Sequence, residues 1–380
     1  MINKISKLFF NTNFIFRPPK KANLILFDAQ SEKVISKIFK LKHFSILCIR
    51  KEEINLFVLI KTFLKLQFSF FDYIINYIDY CGAKIVITAV DNNNIFYKIK
   101  SRLNVTTIFF QNGVRMGYQD IFSIFHQKKK LNYYRSIYNV DLMCVMNKMT
   151  GNLYQKFIKG KVFVAGSVLS NMKPILKTRS KDLLYVSLYR INIEDKVKNN
   201  TIKLIKTLNE YCIKHHLKLK ILGKYHKKNA KEEKNFYDQV LNKNIFFIPN
   251  SKKRNTYNII DKAKIIISPG STAGIESLGR GKKTVLINIK YNVSNFGKKV
   301  FFGFYTKRKN LGLFWYNGLN KKAIFKIMNK VISYKKSKWE KILKNYKYET
   351  TLYDYKNKRL KKELIKFFKF KNLETSKYLQ

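Results

Sequence analysis

The sequence predicts an α/β protein made of two tandem Rossmann-like, doubly wound domains facing a cleft. Three observations predict it. Short apolar, β-branched runs alternate with longer amphipathic stretches. The runs are continuous rather than alternating, as in parallel strands covered on both faces. The pattern stops near residue 169 and restarts at residue 182, which divides 380 residues into two domains of ordinary size.

The elements follow in order. Residues 1–22 form an N-terminal extension with two short apolar patches, Leu8-Phe9-Phe10 and Phe14-Ile15-Phe16, then Arg17-Pro18-Pro19-Lys20-Lys21. No continuous apolar run ends in a small-residue cleavage site, so no secretory signal is read. The N-terminal domain, 23–169, places strands at Asn23–Phe27, Phe44–Ile49, Lys84–Ala89, Thr106–Phe110, Asp141–Met146 and Lys161–Ala165. Ile54–Phe71 is strongly apolar, but Lys61, Lys65 and Gln67 interrupt it. It falls short of the roughly 18 clean apolar residues of a membrane span and is read as a buried helix, with membrane contact as the alternative.

Residues 170–181, with Pro174 among mixed polar residues, read as the linker. The C-terminal domain, 182–333, opens with a strand at Asp182–Ser187 and a helix over Ile193–His215. Strands follow at Leu217–Leu222, Asn244–Ile248, Lys264–Ile267 and Thr284–Ile287. Residues 334–380, rich in Lys and Tyr, read as a basic helical tail, either packing back on the body or forming a solvated basic end.

The formal charge is +54, from 11 arginines and 66 lysines against 23 acidic residues. Lys, Asn, Ile, Phe and Tyr are all abundant, and these are residues of A/T-rich codons. Much of the excess therefore reads as solvated surface. A dedicated phosphate reader favours Arg, whose planar fork binds bidentately. Enough charge remains to attract anions such as nucleotide-sugars or an acidic membrane surface. No helix-turn-helix, RRM or zinc motif supports nucleic acid as the partner.

Cys48, Cys81, Cys144 and Cys212 are scattered and read as free thiols of a reducing compartment. The five histidines show no metal-ligand spacing, so no metal site is expected. A cytoplasmic location follows, with peripheral contact at the inner face of the plasma membrane as a further expectation.

In open α/β sheets, ligands bind beyond the carboxyl ends of the strands. The sharpest such position is Ser268-Pro269-Gly270-Ser271-Thr272, between an apolar strand and a helix running to about Gly279. Small residues let a phosphate approach the backbone, and the free N–H groups and dipole of a helix start favour an anion. Glu276, one turn in, is placed to accept from ribose hydroxyls. The competing reading is that Ser271 and Thr272 only cap the helix. Arg190 and Lys224 follow the first two strands of this domain and are candidates to neutralise a diphosphate.

In the N-terminal domain, Gln111, Asn112, Gly113 and Arg115 follow the fourth strand as polar groups at a strand end. Asp28, Asp91 and His126 are the available general bases, although Asp28 and Asp91 also suit helix caps. No P-loop, GxSxG, GxGxxG or HExxH motif is present, which removes support from kinase, hydrolase and simple dinucleotide-oxidoreductase readings.

The run SPGSTAGIESLGRGKKTVLIN resembles the donor-site segment of GT-B-type glycosyltransferases. With ILFDAQ, CIRKEEINLFVLI, ITAVDNNNIFYKI, FFQNGVR, VFVAGSVLSN, LLYVSLYR and GLFWYN, in that order around it, the chain resembles a family of surface-carbohydrate (O-antigen type) biosynthesis proteins from about residue 23 to 333. The resemblance implies a GT-B architecture, with a nucleotide-activated donor on the second domain and an acceptor approached from the first. Ser271, Thr272 and Glu276 match the donor segment. Gln111-Asn112-Gly113 resembles a His-Gly turn of polyol-phosphate and capsule transferases, in which the His acts as base. Asn112 stands there instead and takes no proton at neutral pH, so either Asp91 or His126 serves or the protein works differently.

The expected function is a glycosyltransferase of surface polysaccharide or lipopolysaccharide synthesis. It would move a sugar from a nucleotide-sugar donor to a glycan or lipid-linked acceptor without a cofactor. The alternatives are a polyol-phosphate (CDP-glycerol type) transferase and, from another class, a non-catalytic basic binder of an anionic surface or nucleic acid. A nucleotide-sugar epimerase would need more convergent acid–base groups than the sequence supplies.

Overall fold

A computed structural model describes residues 12–40, 44–50, 52–114, 128–242, 245–251, 255–291, 293, 310–374 and 378–379. The chain divides into two compact units. Among the described residues the first takes 12–112, 128–172 and 356–379; the second takes 113–114 and 173–355.

The first unit contains β1 (Asn13–Ile15), β2 (Leu24–Phe27), β3 (Phe44–Leu47), β4 (Glu53–Asn55), β5 (Ile85–Thr88), β6 (Thr106–Phe110), β7 (Asn139–Val145) and β8 (Lys159–Val164). Six of these form a parallel sheet in the order β3-β2-β5-β6-β7-β8, and β1 pairs with β4 apart from it. The runs LILF of β2 and IVIT of β5 are buried at every position, which is why they show no alternation. Sequence direction reverses between β2 and β5, so their carboxyl ends form the switch point of this sheet.

The second unit contains β9 (Asp182–Val186), β10 (Lys218–Leu222), β11 (Phe246–Ile248), β12 (Ile265–Ser268), β13 (Thr284–Ile287) and β14 (Trp315–Tyr316). They form one parallel sheet in the order β11-β10-β9-β12-β13-β14, whose switch point lies between β9 and β12. Leu204, Ile205 and Leu208 of the helix Asp195–Lys214 and Ile324, Met328 and Val331 of the helix Lys321–Ser333 fill the core with Tyr185, Ile267 and Val285. Each unit holds one parallel, Rossmann-like sheet, as the sequence predicts.

One stretch differs from the sequence reading. Ile54–Phe71 is not one buried helix. It ends β4, forms a helix over Leu56–Leu64 capped by Asn55, breaks, and enters a second helix, Phe70–Cys81, capped by Ser69. The described residues of 334–380 pack back on the body rather than forming a solvated end. The helix Lys336–Asn345 joins the second unit, where the Trp339 indole N–H donates to the Gly281 carbonyl. The helix Lys358–Phe370 covers the first sheet with Leu360, Leu364, Phe367 and Phe368. Leu360, Leu364 and Phe368 are fully buried, each worth about 1.5–3 kcal/mol.

Candidate functional site

The strongest site is built at the switch point of the second sheet. β12 ends at the buried Ser268, and the helix Thr272–Gly279 begins four residues later. The Ser268 hydroxyl accepts from the Ser271 N–H at 3.1 Å, and the Ser271 hydroxyl caps the helix by accepting from the Ala273 N–H at 3.3 Å. Gly270 turns the chain at φ 150°, a conformation side chains resist. Gly274 presses the first helical turn onto β12; a Cβ added there would lie 2.2 Å from the Ser268 side chain. Thr272, half-exposed, accepts at its hydroxyl from the Val114 N–H at 3.1 Å. The capping role weighed for Ser271 is therefore real. The helix still directs the positive end of its dipole beyond the carboxyl end of β12.

Three cations follow strands at this same carboxyl edge. Arg190 follows β9, Lys224 follows β10 and Lys290 follows β13. Burial pushes the Lys224 and Lys290 ammonium groups below their ordinary pKa, and the Arg190 charge lowers each further. Arg190 thus acts electrostatically on both lysines. Glu233 offsets the effect at Lys224 and Glu194 at Lys290. Positive charges carried along the carboxyl edge of a parallel sheet suit an anionic ligand. The sequence reading names Arg190 and Lys224 and misses Lys290, because one lysine among 66 carries no signal.

A buried carboxylate organises the floor. Glu233, on the helix Lys227–Leu241, has no solvent exposure. It accepts from the backbone N–H groups of Lys224 at 2.9 Å and Tyr225 at 3.0 Å, and from the Ser187 hydroxyl. Ser187 also meets the Tyr237 hydroxyl at 2.7 Å and accepts from the Tyr189 N–H at 3.1 Å. The turns after β9 and β10 are fixed by one side chain, which the sequence reading misses.

Glu276 is buried and accepts from the Tyr257 hydroxyl at 3.2 Å. Arg280, also buried, forms an ion pair with Asp261 through two nitrogens and donates to the carbonyls of Lys173 and Pro174. This pair clamps the start of the second unit beneath the helix Thr272–Gly279.

In the first unit, Asp91 is buried. Its carboxylate accepts from the Tyr154 hydroxyl and from the Asn112 N–H at 3.3 Å. It caps no helix; Asn93 does so, accepting from the Ile95 N–H. Gln111 is buried too, with its side-chain oxygen accepting from the Met146 N–H at 2.9 Å. Asn112 is exposed; Gly113, the first residue of the second unit, is half-exposed. Asp28 accepts from the Gln30 N–H and pairs with Arg50 at 2.7 Å, the capping role. Arg115 and His126 lie outside the described residues. The four cysteines are free. Among the described residues no three His, Cys, Asp or Glu side chains group as a metal site would require, and no helix is long and apolar enough to cross a membrane.

A family model described as "putative O-antigen biosynthesis protein" matches residues 108–368. No curated protein sequence matches the chain. Among solved structures, the chain is similar to the Methanocaldococcus jannaschii UDP-GlcNAc 2-epimerase in complex with UDP-GlcNAc and UDP. That match has 11% identity and a TM-score of 0.52, covering 91% of this chain and 99% of that one. It is also similar to S. aureus MnaA in its co-structure with UDP, with 13% identity and a TM-score of 0.51, covering 93% and 98%. At these identities the likeness establishes the fold.

Proposed function

The chain belongs to the O-antigen biosynthesis family whose model spans its residues 108–368, and from that premise we propose that it is a GT-B-like glycosyltransferase of surface polysaccharide synthesis. It takes a sugar from a nucleotide-sugar donor and passes it to a glycan or lipid-linked acceptor.

One observation carries this reading: the turns after β9, β10 and β13, which bear Arg190, Lys224 and Lys290, lie at the same carboxyl edge of the parallel sheet as the start of the helix Thr272–Gly279. Sugar transfer from a nucleoside diphosphate leaves a diphosphate whose negative charge grows in the transition state. Fixed cations and a helix N-terminus stabilise that charge without reorganising. Similar folds bind UDP-GlcNAc and UDP, which supports a uridine nucleotide as the donor.

On the acceptor side, Asp91 is occupied by Tyr154 and the Asn112 N–H. We assign it the positioning of the Gln111–Gly113 turn, which leaves His126 as the candidate base. His126→Ala then lowers kcat by roughly 100-fold or more. Asp91→Asn lowers the melting temperature more than it lowers kcat.

A thermal-shift screen with UDP, CDP, GDP, ADP and CMP tests the donor assignment. A ligand at about 100 times its Kd stabilises by about 2.7 kcal/mol. Stabilisation by UDP, lost in Arg190→Ala, is the expected result. Stabilisation by CDP or CMP alone redirects the reading to polyol-phosphate transfer. No response to any nucleotide overturns it.

A further inference from the structure

We propose that the turn joining the helix Leu56–Leu64 to the helix Phe70–Cys81 is a docking surface for an anionic lipid bilayer. The inference does not depend on the transferase reading.

The first observation is exposure. Ile60, Phe63, Leu64, Leu66 and Phe68 all face solvent, with Leu64 78%, Leu66 80% and Phe68 74% exposed. The Phe63 and Phe68 rings lie 6.0 Å apart, so the two sides of the turn present one apolar tip. Contiguous exposed apolar surface of this kind marks an interaction site.

The second observation is that the turn is built rather than frayed. The Leu66 N–H donates to the Phe63 carbonyl and the Gln67 N–H to the Thr62 carbonyl, closing a Schellman motif. The buried Asn76 accepts from the Lys65 ammonium at 3.0 Å and donates to Gln67 at 2.7 Å and Thr62 at 3.2 Å. The left-handed position of the motif ordinarily holds Gly or Asn. Here it holds Leu66, at φ 57°. A bulky residue is strained there, and its side chain gains no burial in return. A leucine kept at that cost is explained by contact with an apolar phase.

The third observation is charge. From Leu56 to Phe68 there is no Asp or Glu, and Lys61 and Lys65 flank the tip. Lys61 lies over the Phe57 and Tyr80 rings, and Lys21 lies over the same Tyr80. An apolar tip with lysines and no carboxylate on its own segment suits the headgroup region of an anionic leaflet. A second copy of this chain is the poorer fit, because a two-fold contact would bring Lys61 and Lys65 towards their own counterparts.

The test is co-sedimentation of the full chain with phosphatidylcholine vesicles, with and without phosphatidylglycerol. Net charge alone draws the protein to anionic vesicles, so apolar variants decide the question. Leu64→Glu/Leu66→Glu lowers partitioning at least tenfold. Leu66→Gly, which relieves the strained position, weakens partitioning without lowering the melting temperature. In Leu64→Trp the new indole emission shifts to the blue on vesicles and is quenched by brominated lipid, against the buried Trp315 and Trp339. Unchanged partitioning in Leu64→Glu/Leu66→Glu, or no quenching, overturns the proposal. So does a dimer that this variant dissociates, with no vesicle binding, because the occupant is then a second copy.

Discussion

The Ser187 hydroxyl donates to the Glu233 carboxylate across 46 residues of sequence, inside a network that leaves Glu233 no contact with solvent. The same carboxylate takes the Lys224 and Tyr225 N–H groups. One side chain therefore sets where the turns after β9 and β10 stand, and with them Arg190 and Lys224.

Glu233→Ala strands the buried Ser187 hydroxyl, at about 1–3 kcal/mol, and leaves the part-buried Lys224 and Tyr225 N–H groups without their acceptor. The expected loss is about 3 kcal/mol or more in denaturant unfolding, together with weaker nucleotide binding. Glu233→Gln keeps one acceptor oxygen and loses less. If Glu233→Ala unfolds like the parent, the network does not hold the turns.

Gly274→Ala places a Cβ 2.2 Å from Ser268, where the strand and helix leave no room. We expect a loss of about 1–3 kcal/mol from overpacking and weaker binding of any ligand at the helix start. Gly281→Ala, whose added Cβ meets nothing within 4 Å but whose φ is 75°, separates backbone strain from collision. Equal stability of Gly274→Ala and the parent contradicts the close contact.

Much of this was legible in the sequence. The TTIFF and TVLI runs are β6 and β13 to the residue, because a buried parallel strand is a continuous apolar run between turn residues. The helix from Thr272 to Gly279 stood out through Ser271 at its start and Gly281 after its end. Glu233 did not, because in KKNAKEEKNFYDQVL its neighbour Glu232 has the same chemistry and only the fold decides which one is buried. The packing of the helix Lys358–Phe370 was hidden likewise. Its four buried residues lie among seven charged ones in KRLKKELIKFFKF, and they find their partners only once the chain has returned to the first sheet.

The pH response separates binding from folding. Lys224 and Lys290 have folded pKa values lowered from 10.5, by burial first and then by Arg190. Between the lowered values and 10.5 the unfolded chain binds more protons, so their contribution to stability rises as pH climbs through that window and is flat below it. Nucleotide affinity runs the other way, since it needs the ammonium forms. Calorimetry from about pH 8 to pH 10.5 should show weakening UDP binding. Lys290→Arg, which keeps its charge, should weaken less. An affinity that does not change with pH removes the lysines from the site.

Arg280 and Asp261 form a fully buried ion pair. Arg280→Met leaves that carboxylate short of its principal partner and should cost about 3–5 kcal/mol. The Pro174 carbonyl loses the Arg280 donor as well, and the Lys173 carbonyl keeps only the Tyr353 hydroxyl. Limited proteolysis should then cut near residue 173 faster than in the parent. Cleavage at an unchanged rate means that the pair does not secure this segment.

The most direct test of the central claim is isothermal titration of UDP into the full chain, Lys290→Ala and Lys330→Ala at one salt concentration. Lys290 belongs to the cation group beyond the second sheet, and Lys330 lies in the last turn of another helix. The account predicts that Lys290→Ala weakens UDP at least tenfold, about 1.4 kcal/mol, while Lys330→Ala leaves the affinity unchanged. Equal affinities in all three proteins would show that Lys290 takes no part in holding UDP, and would contradict a donor site at this sheet edge.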